Sequence, residues 1–564
     1  MRKVQTFALA LLVLTVASVA SLHAQTFSVL YNFGSAGGDP IQPLAAGTVA
    51  QGQDGSLYST TPNGGANNQG AVFRISPDGT LSVVYSFVCC WVPLGGLTLG
   101  TDGKFYGASQ GGGALGDGTV YTVTPAGVLT VLHDFTGLAD GDNPKSQPIE
   151  GTDRNFYGTT WRGANNACGN GCGTVYRITP AGDFTTLYSF DFTHGFQPWG
   201  PLVLGTNGNF YGTTSKGGTS GGSGGGVVFK ITPAGKLTVL HNFCSQPGCT
   251  DGQDPTSPLV QGTDGSFYGT TGQGGANGFG EVFKITAGGT LTVLHSFNGT
   301  SDGYIPFEGN AGLVQATDGN FYGANTYGGS LGFGTFFQIT PKGAFSVLYN
   351  FDGTTGWNPY VTPFQHTNGV IYGDTQLGGT GNVSPCIAGS PNASCGVFYS
   401  WTAPGLRPFV RLLPYSGNVG DTIEFLGQGF TATTTVSFNG TTANRTIVSG
   451  TYLTATVPSG ARTGLVTVTT SGGKLKSNKK FRVTPQITSF SPASGPVGTV
   501  VTITGVSLTQ TTKVTFGGVV ATSFTVNSDT QVTATVPSGA KTGKIVITTP
   551  GGMATSTTNF TVTP

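Results

Sequence analysis

Charge is scarce in this chain: Asp, Glu, Lys and Arg make up 9% of its 564 residues, and 25 basic residues nearly cancel 24 acidic ones. A nucleic-acid binder needs a dense basic footprint to displace counterions. The basic residues gather only at Lys474, Lys476, Lys479 and Lys480, which read as the solvated tip of a hairpin, so nucleic acid is set aside as a partner. Long apolar runs are also missing beyond residue 24, where nothing approaches the roughly 18 consecutive apolar residues of a spanning helix, so no membrane span is expected in the mature chain. No nucleophile elbow, H-E-x-x-H or P-loop occurs, and no cofactor is implied. Disorder does not fit either, because 37% of residues are hydrophobic and 11% aromatic. Those residues, set among 95 glycines, suit many short strands joined by tight turns.

The opening "MRKVQTFALALLVLTVASVASLHA" places Arg2 and Lys3 before an apolar stretch and ends in small residues, the pattern of a secretory signal peptide over 1–24, cut after Ala24. Eight cysteines follow, and "CGNGC", "CSQPGC" and "CIAGSPNASC" fit small disulfide loops made in an oxidising compartment. The expected disulfide cysteines are Cys168, Cys172, Cys244, Cys249, Cys386 and Cys395, while adjacent Cys89 and Cys90 are left open. A zinc site would need four converging ligands, and each pair lacks a nearby His or second pair, so no metal is expected.

The chain repeats itself. Tyr58, Tyr106, Tyr157, Tyr211, Tyr268, Tyr322 and Tyr372 recur 48 to 57 residues apart, followed by Gly in six cases and by Ser59 in the first, which gives seven units. Residues 198–243 show what one unit holds: "PWGPLVLG", the turn "TNG", "NFYGTTS", a Gly-rich loop, "GGVVFKIT", the turn "PAG" and "KLTVLHNF". Four short runs bounded by turn residues are four antiparallel strands, the content of a propeller blade. The fourth-strand motif appears six times inside the array, and the seventh unit stops at "GVFYSWTAPG" without one. A seventh copy, "TFSVLYNF" at 26–33, stands directly after the leader. Pairing it beside Val397–Trp401 would close the ring and leave no sheet edge exposed. The predicted fold is therefore all-β, a seven-bladed β-propeller over 25–403 closed by its N-terminal strand.

The unit "P-L-x-x-G-T-D-G-x-F-Y-G-T-T-x-x-G-G … G-x-V-F-K-I-T-P-x-G-x-L-T-V-L-x-x-F" resembles the GloVer tandem repeat of bacterial exported proteins, over residues 26 to about 402. The resemblance implies export and surface association, with no established reaction to transfer. Family members often end in a sorting anchor, a pattern that the terminal "NFTVTP" does not match. Beyond "TAPGLRPF", "PYSGNVGDTIEFLGQGF" realigns with "PASGPVGTVVTITGVSL", giving two copies over 408–484 and 485–564. Their short alternating strands argue for Ig-like β-sandwich domains. The "SGxVG" and "VPSG" turns resemble the IPT/TIG family, which implies a spacer or binding stalk.

The recurring acid of "DG" (Asp54, Asp102, Asp153, Asp264 and Asp318) alternates with Asn207 and Asn368, as hairpin turns select, so it reads as turn chemistry rather than catalysis. His133, His241 and His295 share a strand slot with Tyr31, Tyr85, Tyr188 and Tyr349, a slot for a flat ring with a polar tip. His194 and His366 fall outside that pattern and remain single imidazoles. "DGDNP" at 140–144 lacks the later Glu of a calcium loop.

In a four-stranded blade the short "TDG" and "PAG" turns lie on one face, while the second-to-third-strand loops and the blade-to-blade crossovers lie on the other. The second set holds every cysteine and carries Trp91, Trp161, Trp199, Tyr304 and Trp357. These five are the candidate ligand-binding residues, expected as a partial aromatic ring around the channel mouth, with gap filling between blades as the structural alternative. The leading reading is a secreted or cell-surface bacterial protein without catalytic residues, a binding or adhesion head for extracellular glycan or protein on an Ig-like stalk. The alternatives are a secreted carbohydrate-active enzyme using Asp191, Glu281 or Asp374, and an architectural surface or matrix protein.

Overall fold

The computed structural model describes residues 25–564 except 45–48, 89, 138, 165–167, 170, 220–223, 305–310 and 382–394. The leader and Cys89 and Cys386 lie outside the described residues. Seven four-stranded antiparallel sheets form the blades of a β-propeller, and no α-helix occurs among the described residues. Blade 4 is representative, with strands Val203–Leu204, Phe210–Thr214, Val227–Ile231 and Leu237–Asn242. The two inner strands of each blade are almost wholly buried and the outermost strand is half-exposed.

Blade 7 takes its outer strand from the other end of the chain. Thr26–Asn32 pairs antiparallel with Val397–Thr402, from Thr26 opposite Thr402 to Asn32 opposite Val397. Its register slips between Val29 and Tyr31, the same place at which the fourth strand slips in blade 4, between the partners of Val228 and Phe229. The bulged residue turns its carbonyl toward the next blade: a Cβ on Gly235, held at φ +85°, would lie 2.7 Å from the Leu187 carbonyl oxygen. This explains why the "PAG" turn ends in glycine.

The repeated "F-Y-G" encodes packing in all three of its letters. Five of the seven tyrosines stack on the phenylalanine of the next blade: Tyr58 on Phe105 at 4.1 Å, Tyr106 on Phe156 at 3.5 Å, Tyr157 on Phe210 at 4.1 Å, Tyr211 on Phe267 at 3.9 Å and Tyr268 on Phe321 at 4.0 Å. The tyrosine hydroxyl donates to the turn acid, as from Tyr268 to Asp264 at 2.8 Å, while that acid's other oxygen accepts the Ser266 N–H. The glycine faces a third-strand ring in register, Gly212 opposite Phe229, where a Cβ would lie 2.6 Å from the ring.

Neighbouring blades are also clasped by polar groups. The Gln261 amide accepts the Thr206 N–H at 2.9 Å, and Gln315 and Gln365 hold Thr263 and Thr317 in the same way. At the ring's seam Gln51 of blade 1 holds Thr367 of blade 7, donating to its hydroxyl at 2.8 Å.

Two β-sandwiches follow, each with its own apolar core. One sheet of the first lies on the plain face of the propeller. Leu413, Leu426 and Tyr452 join the packing around Ala50, Tyr58, Leu99 and Phe105, and the Thr451 hydroxyl donates to the Gln53 carbonyl at 2.8 Å. The expected stalk is thus corrected at its base: the first Ig-like domain is seated on the head, because its docking strands carry large apolar groups where the second domain carries Thr504 and Gln531.

Candidate functional site

The first Ig-like domain takes up the plain face around blades 7, 1 and 2, and the elaborated loop face is the candidate binding surface. Every described cysteine stands on it, in crossovers or second-to-third-strand loops. Cys168 bonds to Cys172 and Cys244 to Cys249, while Cys90 and Cys395 are also in disulfides. These short covalent loops stiffen backbone that has little sheet to hold it.

Crossovers are anchored by a device that joins two sequence features. In four of the seven units the polar tip of the strand-four His or Tyr holds an acid in the loop that follows. His133 Nε2 lies 3.1 Å from Asp140, His241 Nε2 3.3 Å from Asp251, His295 Nε2 2.8 Å from Asp302, and Tyr31 donates to Asp39 at 2.8 Å. Each acid also accepts backbone N–H groups of its own loop, as Asp302 does from Asn298. The flat body of the ring stacks on the next blade, His133 on Phe184 at 3.8 Å and His295 on Phe345 at 3.9 Å.

The five candidate aromatics fall into separate packing groups. Trp91 packs on Phe87 at 5.1 Å and against the edge of Tyr121, within the packing between blades 1 and 2. Trp161 and Trp199 meet edge to face at 5.5 Å. The Lys145 ammonium lies 4.4 Å from one indole centroid and 4.1 Å from the other, and the Arg162 guanidinium stacks 4.1 Å from Trp161. This layered cluster is held by cation–π attraction and stands beside the Cys168–Cys172 loop. Tyr304 sits between Phe279 at 5.5 Å and Tyr327 at 5.7 Å, and Trp357 meets Phe333 at 5.6 Å. Phe279 is 40% exposed, as is Phe192, and Leu115 and Leu331 stand further out on loops of the same face.

The separation has a positional cause. Trp199 follows its crossover proline, a slot filled by Lys145 and Thr256 in neighbouring blades, whereas Tyr304 and Trp357 precede theirs and pair with Tyr327 and Leu377 through backbone bridges.

The three acids considered for catalysis stand in different surroundings. Asp191 is half-buried and accepts from the His194 backbone N–H and ring; burial raises its pKa, but those bonds outweigh it and the pKa is lowered. Asp374 is fully buried, and burial holds its pKa well above the usual range. Glu281 is also fully buried, neither oxygen has a hydrogen-bond partner, and burial, then nearby Asp251, pushes its pKa up to about 8. Among the described residues no three His, Cys, Asp or Glu side chains group as a metal site. His366 is buried beneath the plain face, on the opposite side of the disc from the loops, and its Nε2 donates to the Gly55 carbonyl at 2.9 Å.

Sequence reading passed over Lys145 and Arg162, which share the Trp161–Trp199 cluster, and the crossover acids. A signal for the latter was present: an Asp follows the strand-four ring at a short interval, seven residues on from His133 and His295 and eight from Tyr31.

A family model of the Gloeobacter/Verrucomicrobia repeat matches residues 18–170, 50–250 and 170–387. The chain belongs to this repeat family. The IPT/TIG domain matches residues 409–483 and 485–562. No curated protein matches the chain. Among solved structures, a fungal alcohol oxidase in complex with copper is 14% identical, with 81% of this chain and 99% of that one covered at a TM-score of 0.42. A gluconolactonase from Xanthomonas campestris is 16% identical, with 55% and 90% covered at 0.32. A surface glycan-binding protein from Prevotella bryantii is 19% identical, with 26% and 38% covered at 0.21. Likenesses of this degree bear on neither chemistry nor ligand.

Proposed function

We propose that this is an exported, non-enzymatic binding or adhesion protein whose propeller head contacts an extracellular glycan or protein through its loop face. The observation that carries the reading is the inequality of the two faces. One is built of uniform turns and partly occupied by an Ig-like domain; the other bears the disulfide loops, the Trp161–Trp199 cluster and the exposed Phe192 and Phe279. Rigidly held loops with aromatic anchors are where a scaffold of this kind binds. Glycan rings suit the aromatic faces through their C–H groups, and a protein partner suits the exposed apolar tips.

The test is a glycan array probed with wild type and with the Trp199→Ala, Trp357→Ala double variant. The reading expects discrete glycans to bind wild type and to lose at least about tenfold in the variant, the loss typical of truncated aromatic anchors. Equal binding by both proteins would remove these residues from the site, and an array without any binder would favour a protein partner or the architectural reading.

A second reading, a carbohydrate-active enzyme, draws on one pair of acids. Asp251 accepts from Ser245 and Gln246 and faces His241, while burial, then the charge of neighbouring Asp251, pushes Glu281 up to about 8, and a carboxyl kept protonated near neutral pH beside a second carboxyl can serve as the general acid of hydrolysis. Release of reducing ends or unsaturated products from polysaccharide pools by wild type, abolished in Glu281→Gln, would establish it in place of the first.

A further inference from the structure

The seam between blades 7 and 1 is built unlike the other blade junctions. At this seam Leu57 of blade 1 replaces the phenylalanine on which Tyr372 would stack, a loss shared by the blade 6–7 junction, where Ile371 replaces the partner of Tyr322. The space is used by His366, which stands where other blades carry Gly52, Gly100, Gly151, Gly205, Gly262 or Ala316. In those blades a Cβ would press on the blade's own tyrosine, as 2.8 Å at Gly262, and on the next blade's phenylalanine at 3.2 Å. His366 instead lies edge-on to Tyr372 and crosses to the Gly55 carbonyl of blade 1.

The first Ig-like domain is seated across this same seam. On the blade 1 side, Thr451 donates to the Gln53 carbonyl and Glu424 accepts from the Gln53 amide at 3.3 Å. On the blade 7 side, Gln428 donates to the Thr367 hydroxyl at 3.3 Å, the Phe409 N–H bonds the Thr367 carbonyl at 3.0 Å, and the Arg411 guanidinium stacks 4.4 Å from Phe364. Thr367 is the residue that Gln51 grips from blade 1, so one hydroxyl receives both the neighbouring blade and the domain. A spacer would need only one attachment; these contacts straddle the joint that the terminal strand closes from the rim.

We propose that the first Ig-like domain is a clamp on the ring's seam, so that the hold of the Thr26–Asn32 strand on blade 7 depends on this domain being seated. A joint whose partners lie at opposite ends of the chain is the weakest place in a ring of otherwise continuous blades, since its opening releases the most chain entropy. A contact spanning both sides opposes that opening. The loop face is untouched by the clamp, so the inference is independent of what the head binds.

The experiment is backbone hydrogen exchange in the full chain, with the amides of Thr26–Asn32 as the readout. Thr451→Glu places a carboxylate beside Glu424 and the Gln53 carbonyl and should unseat the domain, which small-angle scattering registers as a longer particle. The clamp predicts exchange at Thr26–Asn32 at least about tenfold faster than wild type, with the outer strands of blades 3 to 5 unchanged. Thr530→Glu, at the equivalent turn of the second Ig-like domain, should leave all of them alone. The reverse variant guards against simple misfolding: a Cβ at Gly55 would lie 3.4 Å from Thr451 Cβ, so Gly55→Cys with Thr451→Cys can be bonded to tether the domain. The tethered protein should exchange more slowly at Thr26–Asn32. Unchanged exchange in the elongated Thr451→Glu protein, or in the tethered one, would overturn the clamp.

Discussion

At Gly212, Gly269 and Gly323 the absence of a side chain lets a third-strand ring lie over strand two, within 2.5 to 2.7 Å of where a Cβ would be. Blade 1 shows that the space is adjustable, since Ser59 stands opposite Phe73 there. Gly269→Ala should therefore fold but lose about 1–3 kcal/mol to overpacking, measured by chemical denaturation, and Phe283→Leu in the same chain should recover part of the loss. Glu281 offers a sharper residue-scale test. Its pKa rises from 4.5 to about 8 in the fold, so the folded state prefers the protonated acid. The resulting stabilisation is complete below about pH 4.5 and is lost as pH rises through about 8. Wild type should lose Tm between pH 5 and 9, and Glu281→Gln, which keeps the neutral form throughout, should lose markedly less over that range. Thr174 and Thr335 show what this position does elsewhere, donating to the Asp140 and Asp302 carbonyls; a protonated Glu281 has the same capacity.

Blade junctions carry their information in side chains far apart along the chain. The Gln261–Thr206 clasp spans 55 residues, and blades 2 and 4 place Leu99 and Leu204 where it would be. Gln261→Leu should accordingly leave the propeller folded and cost about 1–2 kcal/mol for the hydrogen bonds lost, read as a shift in denaturation midpoint at unchanged slope. The sequence made strands and turns legible because both are local patterns: alternation, Asp-Gly pairs and the displaced strand motif at 26–33. It hid the crossover anchors, because the interval from ring to acid grows to ten residues between His241 and Asp251. Lys145 between two indoles was invisible for a related reason. Trp161 and Trp199 belong to different blades, and only the closed geometry brings the three together.

The whole molecule is an asymmetric disc. Its two faces were distinguishable from loop lengths alone, but the seating of the first Ig-like domain was not, since Leu426, Tyr452 and Glu424 read as ordinary strand residues. Burial, with a lesser push from the nearby Glu150 charge, outweighs the lowering by the Gln53 and Tyr452 hydrogen bonds and raises the Glu424 pKa to about 7 at this junction. As for Glu281, a raised acid favours the folded contact at low pH: the contribution is complete below about 4.5 and fades as pH rises through about 7. The head and first Ig-like domain should therefore separate more readily at pH 9 than at pH 5 by small-angle scattering, and Glu424→Gln should remove most of that dependence. Ring closure underlies all of these statements, and Ser28 stands directly opposite Ser400 across it. Ser28→Cys with Ser400→Cys, oxidised and mapped by peptide mass spectrometry, should give an intramolecular 28–400 disulfide in nearly every molecule. Two freely alkylated thiols, or 28–400 bonds found only between chains, would contradict a propeller closed by its own first strand.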